Sequence, residues 1–383
     1  MSIVVLRSIL LSLAAAAALS PAAAVNLDYH PTLTDTQILY YLNNPKDAVG
    51  QSGANTYGLQ DSSGNSMDSP SIIQISGQTY KYVAVYHSPV CVLNCESSNK
   101  IYRFKLNLAG SNDLIIWTFI RQLGDNQTMP LMVQVSGSNW IQVAHETSTG
   151  PGPGTAGPTH VDFDLYYDVG DLMSGTIRST WSHPVYNSGS NINGTPSVYA
   201  ADLTMHSGYY DVGGQYGFHF NRSTSTSPTD LNAVTTVTQM FNPLGGTTGY
   251  PSVATNYNNL MMALGATDTV GQRDTLITTT NRYNLQEIHF GSPGTDWNQW
   301  RVWLYKFAET TAYPTGAGTV TKLAPQTPGA SYSFGNPSVS VVDRPNGGGK
   351  ALVVTYTVFA EGAGRNPITG KLESGTLIYY FNI

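Results

Sequence analysis

Asp, Glu, Lys and Arg together make up 11% of this 383-residue sequence, so the ionisable groups that recur at comparable places are informative. Asp68 stands just before Ser69-Pro70. His87 closes the run Tyr80 to His87, and His145 and Glu146 close the run Trp140 to Glu146. Asn193, Asp202, Asp268 and Glu361 occupy strand-end places further on, and His160 and Asp162 lie together in a third run. Asp68 and Glu146 form a carboxylate pair of the kind acid–base chemistry uses. One member takes a proton from water, and the other, its pKa raised by burial or a nearby charge, protonates a leaving group. The apolar stretch Ile141-Gln142-Val143-Ala144 supplies such surroundings for Glu146. His87, His145 and His160 offer a second chemistry, in which an imidazole abstracts a carbon-bound proton beside a carboxylate. Their spacings match no short metal-ligand motif. Each group also has a plainer reading: a strand-end carboxylate accepts backbone hydrogen bonds or forms a salt bridge, and a lone histidine is a structural hydrogen-bonder.

A five-fold phrase sets the places of these residues. It reads Ser69-Pro70-Ser71-Ile72-Ile73, Met129-Pro130-Leu131-Met132-Val133, Thr195-Pro196-Ser197-Val198-Tyr199, Tyr250-Pro251-Ser252-Val253-Ala254 and Asn336-Pro337-Ser338-Val339-Ser340, at intervals of about 55–86 residues. Proline gives no ladder hydrogen bond and belongs at the first residue of a strand, so each phrase opens an inner strand. Alternating β-forming runs follow each phrase. They include Tyr80 to His87, Lys100 to Leu106 and Leu114 to Phe119 in the first unit, and Trp140 to Glu146 and His160 to Tyr167 in the second. The third has Gly217 to Phe220. The fourth has Leu260 to Leu264, Thr275 to Thr279 and Trp300 to Tyr305, and the fifth Ala351 to Tyr356 and Thr376 to Phe381. Repetition at this period predicts an all-β fold, a five-bladed β-propeller of four-stranded antiparallel blades around a central channel. The start of each inner strand and the end of the second share one face, and a concave site is expected there. Residues 25–55 read as an N-terminal strap, with Ile38 to Leu42 open between helix and strand.

Residues 1–24 read as a signal peptide: Arg7, the apolar Ser8 to Leu19, then Ala22-Ala23-Ala24 as a small-residue cleavage pattern. The expectation is a secreted, monomeric single domain over residues 25–383 with no membrane partner. The net charge of −6 and the lack of a Lys/Arg cluster argue against nucleic acid. Cys91 and Cys95 are expected to form a disulfide closing a small loop; a metal would need further ligands, of which His87 is the nearest candidate. No cofactor is expected, a structural calcium ion staying open. Asn126, Asn193 and Asn221 begin N-X-Ser/Thr sequons.

The repeats, Asp68 before Pro70, and the segment Ser111-Asn112-Asp113-Leu114-Ile115-Ile116-Trp117-Thr118 resemble the five-bladed propeller glycoside hydrolases, the arabinanase, xylosidase and fructosidase group. The resemblance implies Asp68 as general base. The family's other two carboxylates would fall where this chain has Thr128-Met129-Pro130 and Gly194-Thr195-Pro196, so the acid has to come from elsewhere, and Glu146 is the choice. The expected function is cleavage of a glycan in a central pocket, with Asp68, Glu146, His87 and His145 as catalytic candidates. His160, Asp162, Asn193, Asp202, Asp268, Trp297 and Trp300 are candidates for holding substrate. Trp140, Trp181 and Trp303 are further aromatics, Trp303 and Trp117 reading as core. The alternatives are a polysaccharide lyase using His or Tyr on a uronate glycan, and a lectin. A lectin would repeat its binding residues in every blade, and the differing residues His87, Glu146 and Asp268 favour a single site.

Overall fold

Runs of β-branched and aromatic residues, cut by Gly, Asn and Ser turns, give an almost entirely β structure. The computed structural model describes residues 29–48, 57–96, 101–134, 139–148, 159–184, 195–199, 204–211, 214–222, 234–241, 269–290, 297–307 and 319–383. After helix α1 (Asp35–Asn43), the first antiparallel sheet takes β1 (Asp68–Gln74), β2 (Tyr82–Leu93), β3 (Ile101–Ser111) and β4 (Thr118–Asp125) in chain order. The second takes β5 (Gln127–Gln134), β6 (Ile141–Ser148), β7 (Thr159–Tyr166) and β8 (Ser179–Pro184), with helix α2 (Val169–Ser174) between the last two.

The next eight strands share one sheet: β9 (Thr195–Tyr199), β10 (Thr204–Asp211), β11 (Gly214–Arg222), β12 (Val234–Phe241), β13 (Thr269–Ile277), β14 (Arg282–His289), β15 (Trp300–Phe307) and β16 (Thr319–Lys322). It consists of two consecutive four-strand runs joined where Tyr209 to Asp211 of β10 pair with Thr269 to Gly271 of β13. A three-stranded sheet of β17 (Phe334–Asp343), β18 (Lys350–Val358) and β19 (Gly375–Asn382) completes the chain. The first strand of each run packs beside the next in a closed cycle, β1 to β5, β9, β13, β17 and back to β1. This is a propeller arrangement, with four sheets among the described residues.

The apolar cores lie between neighbouring sheets. Ile73, Val83 and Val85 meet Met132, Ile141 and Val143; Ile72, Ala84 and Trp117 meet Val342, Val353 and Ile378; Leu276, Leu285 and Val302 meet Leu352, Val354 and Leu377. Each buried Val, Leu, Ile or Met among them stabilises the fold by about 1.5–3 kcal/mol relative to exposure. The stretch Ile38 to Leu42, ambiguous in sequence, is helical. Thr34 and Gln37 form a reciprocal capping box that starts α1, and Ile38 and Leu42 are buried in the third of these cores. The hydroxyls of Tyr356 and Tyr379 both donate to the Leu42 carbonyl at 3.1 Å. Asp35 at the start of the helix also accepts from the Tyr283 hydroxyl and Lys306 Nζ, at 2.5 Å each, so the helix straps the core shared by the β13–β15 strands and the β17–β19 sheet.

Four sequence expectations need correction. The second strand after the Pro196 phrase is β10, not Gly217 to Phe220, which lies in the third. The run Thr275 to Thr279, expected as a third strand, begins within the first strand β13, and β14 was not anticipated. The Pro251 phrase and Leu260 to Leu264 lie outside the described residues. Leu114 to Ile116 is a bend held by the Asp113 carboxylate, which accepts from the Ile115 and Ile116 amides at 2.9 and 2.8 Å; Trp117 makes a single parallel bridge with Asp61, and β4 begins only at Thr118. The β2–β3 hairpin runs on past His87, and its tip carries the Cys91–Cys95 disulfide.

The seam between β13 and β17 carries a buried acid. Asp274 accepts from the Val339 amide at 2.8 Å and the Thr275 amide at 2.7 Å. Burial pushes its carboxyl up to about 7, the two amide donors opposing. A carboxyl whose folded pKa is raised binds a proton more tightly than the unfolded chain does. Its contribution is therefore full below the unfolded value near ~4 and lost as pH rises through about 7. Urea unfolding should show stability falling between about pH 4 and 7, and in Asp274→Asn that part of the slope should vanish. Leu42→Ala, which empties part of the core under the strap, should cost about 2–5 kcal/mol in the same assay with unchanged m.

Candidate active site

The central site is made by a backbone irregularity that the phrase encodes. In β1, β5 and β17 the pairing with the next strand slips by one residue at the proline, between Asp68 and Ser71, Thr128 and Leu131, and Gly335 and Ser338. The residue before each proline has positive φ: Ser69 at 47°, Met129 at 51° and Asn336 at 46°. Non-glycine residues hold such angles at a cost of order 1–3 kcal/mol each and cluster at functional sites. The serine after the proline ties one inner strand to the next. Ser338 Oγ donates to the Pro70 carbonyl at 2.9 Å, and Ser71 Oγ accepts from the Met132 amide at 2.9 Å. β13 slips between Gln272 and Asp274 with no proline, and Asp274 fills the serine's role toward β17.

Counted from these slips, the same register position on each second strand carries His87, Glu146, Glu287 and Thr357. It lies two residues past the partners of Ser71, Leu131, Asp274 and Ser338. Asp68 lies opposite His87 on β1 and is the best-defined carboxylate of the group. It accepts from Asn336 Nδ2 at 3.1 Å, from its neighbour's Ser69 amide at 3.0 Å and from the Thr357 hydroxyl, and His87 Nε2 lies 3.4 Å away. Burial pushes its pKa up, but His87 and the hydrogen bonds from Thr357 and Asn336 outweigh this and hold it below the usual value. Asp68 is therefore an ionised carboxylate at neutral pH, with a side chain 15% exposed.

Arg273, the extra residue of the β13 slip, points into the same region. It pairs with Glu287, which is 2% exposed, and lies against the sulfur of Met129 from the far side of the cycle. Burial alone would lower its pKa, but Glu287, Glu146 and Asp68 raise it, so all three carboxylates act on one guanidinium. Glu287 also accepts from the Asn336 amide at 2.6 Å. Glu146 is 4% exposed, and Thr128 Oγ1 donates to it at 3.4 Å. His87 accepts the Met129 amide at Nδ1, 3.3 Å away, which leaves its proton on Nε2, toward Asp68. Three carboxylates around one cation give a cluster of net negative charge.

Of the residues expected from sequence, Asp68, His87 and Glu146 are thus brought to one place. His145 is not: strand alternation turns it to the other face of β6 from Glu146. There it bonds Asp164 through Nε2 at 3.0 Å and Thr147 through Nδ1 at 3.1 Å, and Thr147 donates in turn to Asp162 at 2.5 Å. Thr180 Oγ1 closes this buried network on Asp164 at 2.6 Å. Trp297 and Trp300 lie at the β14–β15 connection, on the same end of the sheets as the carboxylates. Glu361 is exposed in a 3₁₀ turn after β18. His160 pairs with Thr147 in the backbone ladder, while Asn193, Asp202 and Asp268 lie outside the described residues. Trp303 and Trp117 are buried, as core residues should be. Sequence reasoning missed Arg273, Glu287 and Asn336. Among the described residues, no group of three His, Cys, Asp or Glu side chains is placed to hold a metal ion.

No protein-family model matches the chain, and no curated protein matches its sequence. Its fold is similar to that of a thermostable family-43 glycoside hydrolase, at 9% identity and a TM-score of 0.45, over 85% of this chain and 91% of that one. An α-L-arabinofuranosidase from Lactobacillus brevis gives 10% identity, a TM-score of 0.45 and coverage of 82% and 90%. An endo-arabinase from Bacteroides thetaiotaomicron gives 10%, 0.43, 83% and 95%. Identities and scores this low leave the activity to be argued from the site itself.

The Arg273–Glu287 pair makes a direct prediction. Arg273→Met strands a buried carboxylate and should cost about 3–5 kcal/mol in urea unfolding. Adding Glu287→Gln should recover a large part of that loss, the non-additivity of the double-mutant cycle measuring the coupling.

Proposed function

We propose that the protein is an exported five-bladed propeller that hydrolyses glycosidic bonds of a neutral glycan. The five blades are the two four-stranded sheets, the two runs within the eight-stranded sheet, and the β17–β19 sheet. The observation that carries the activity is an ionised Asp68 in a net-negative cluster with a second buried carboxyl, Glu146. Asp68 takes a proton from water as the water oxygen bonds the anomeric carbon. The bond from that carbon to the leaving oxygen breaks, and Glu146 gives that oxygen its proton. The transition state is oxocarbenium-like, and surrounding carboxylates stabilise its positive charge. Burial favours the protonated form that an acid needs.

The same charge balance speaks against a uronate substrate. A lyase must neutralise the uronate carboxylate with a cation, and Arg273 is already paired with Glu287. His87 is a poor lyase base as well, its Nδ1 accepting the Met129 amide.

Asp68→Asn and Glu146→Gln should each lower kcat by about 10²–10⁴-fold in protein whose circular dichroism shows the native fold. The substrates are a panel of neutral and uronate-containing polysaccharides, with products read by mass spectrometry. Products carrying one added water support the proposal. Unsaturated ends would instead mean a lyase, and retention on a glycan without turnover a lectin; either result overturns it.

A further inference from the structure

An exposed aromatic side chain that continues into two further rings beside a polar centre is a contiguous apolar surface of the kind that marks a ligand site. Trp297 is 42% exposed. It begins a 3₁₀ turn (Trp297–Gln299) whose first carbonyl accepts from Ser333 Oγ, and Arg301 Nη1 donates back to the Asn298 and Trp300 carbonyls at 2.6 and 2.8 Å. The indole is thus held by its own loop. Its ring lies 5.2 Å from that of Phe359 at an interplanar angle of 32°, and Trp300 approaches Phe359 at 6.0 Å and 34°. The three rings form a shelf, with Trp297 its exposed member.

The shelf leads into the carboxylate cluster. A Cβ on Gly335 would lie 2.8 Å from Phe359 Cε2 and 3.1 Å from Glu287 Oε2. Phe359 and Glu287 therefore both approach one backbone position, the partner of Thr357, whose hydroxyl bonds Asp68. A bare backbone at Gly335 lets the aromatic ring and the charged cluster meet without a side chain between them. Two chemistries adjoin there: charged groups suited to a reacting bond, and a flat apolar surface suited to the C–H face of a sugar ring.

We propose that Trp297 is a separate subsite, which stacks on a sugar unit of the same neutral glycan one or more units away from the bond held by Asp68 and Glu146. This rests on the reading of the centre as a glycan site. The occupant is a ring of that glycan because the shelf is continuous with the centre at Gly335. An aromatic surface of this size gives a discrimination of roughly tenfold or more when a sugar face covers it.

The test has two arms, one independent of turnover. In the first, tryptophan fluorescence is titrated with xylo-, arabino- and malto-oligosaccharides of two and of five units. Wild type should bind at least one five-unit series saturably. Trp297→Ala should weaken that binding about tenfold, Trp297→Phe should retain most of it, and two-unit binding should be unaffected. In the second, where hydrolysis is found, Trp297→Ala should raise KM on the long substrate and leave kcat and the short substrate unchanged. Equal affinity of Trp297→Ala and wild type for the five-unit glycan overturns the subsite even if hydrolysis is confirmed. Equal loss on short and long glycans, or no saturable binding to wild type, overturns it too. Binding that depends on Trp297 without turnover upholds the subsite while rejecting the hydrolase.

Discussion

The irregularity in the inner strands is the constraint on which the rest of the molecule depends. A regular strand would send alternate side chains to its two neighbouring sheets and leave nothing for the axis. The one-residue slip at Ser69-Pro70, Met129-Pro130, Asn336-Pro337 and Arg273 re-aims one residue per strand inward, a known use of bulges beside active sites. The re-aimed residues then bind one another across the cycle. Met129 reaches His87 with its amide and Arg273 with its sulfur, and Asn336 reaches Glu287 with its amide and Asp68 with its side chain. These ties offset the cost of the positive φ angles and fix the site at once.

The centre is an electrostatic compromise. A buried guanidinium needs partners, and so does a buried carboxylate. Here one Arg serves three acids from different sheets, and Glu287 takes the contact position. Asp68 keeps its charge through His87 and the hydrogen bonds of Thr357 and Asn336. Two acids of one cluster, Asp68 and Glu146, are thereby left with different surroundings.

The sequence showed the repeat, the inner strands of the first, second and last sheets, and the rule that strand ends meet at one face. That rule holds for Asp68, His87 and Glu146. It failed in the fourth unit because β13 makes its slip without proline, so the Pro251 phrase drew the register away and pointed to Asp268 instead of Glu287. Asn336 stood inside the phrase, yet a neutral residue carries no signal of its partners. His145 was misplaced for the opposite reason: its strand position was right, but period-two alternation turns it from the face of Glu146. The run Arg282-Tyr283-Asn284-Leu285-Gln286-Glu287-Ile288 alternates cleanly and would have located Glu287 once read as a second strand.

The strap of α1 on the last sheet bears on how the molecule is assembled. Leu42 and Tyr379 lie 337 residues apart, and Asp35 lies 248 and 271 residues from its donors Tyr283 and Lys306, so a chain made from its N-terminus holds an amphipathic helix without its partners until these late strands have been synthesised. The open flank of β1, which β17 covers, waits equally long. Contacts of such separation slow folding, and the uncovered apolar surface is prone to aggregate meanwhile. Completion of the cycle is therefore a late, single event. Removing α1 or the β17–β19 sheet removes a surface that the other needs.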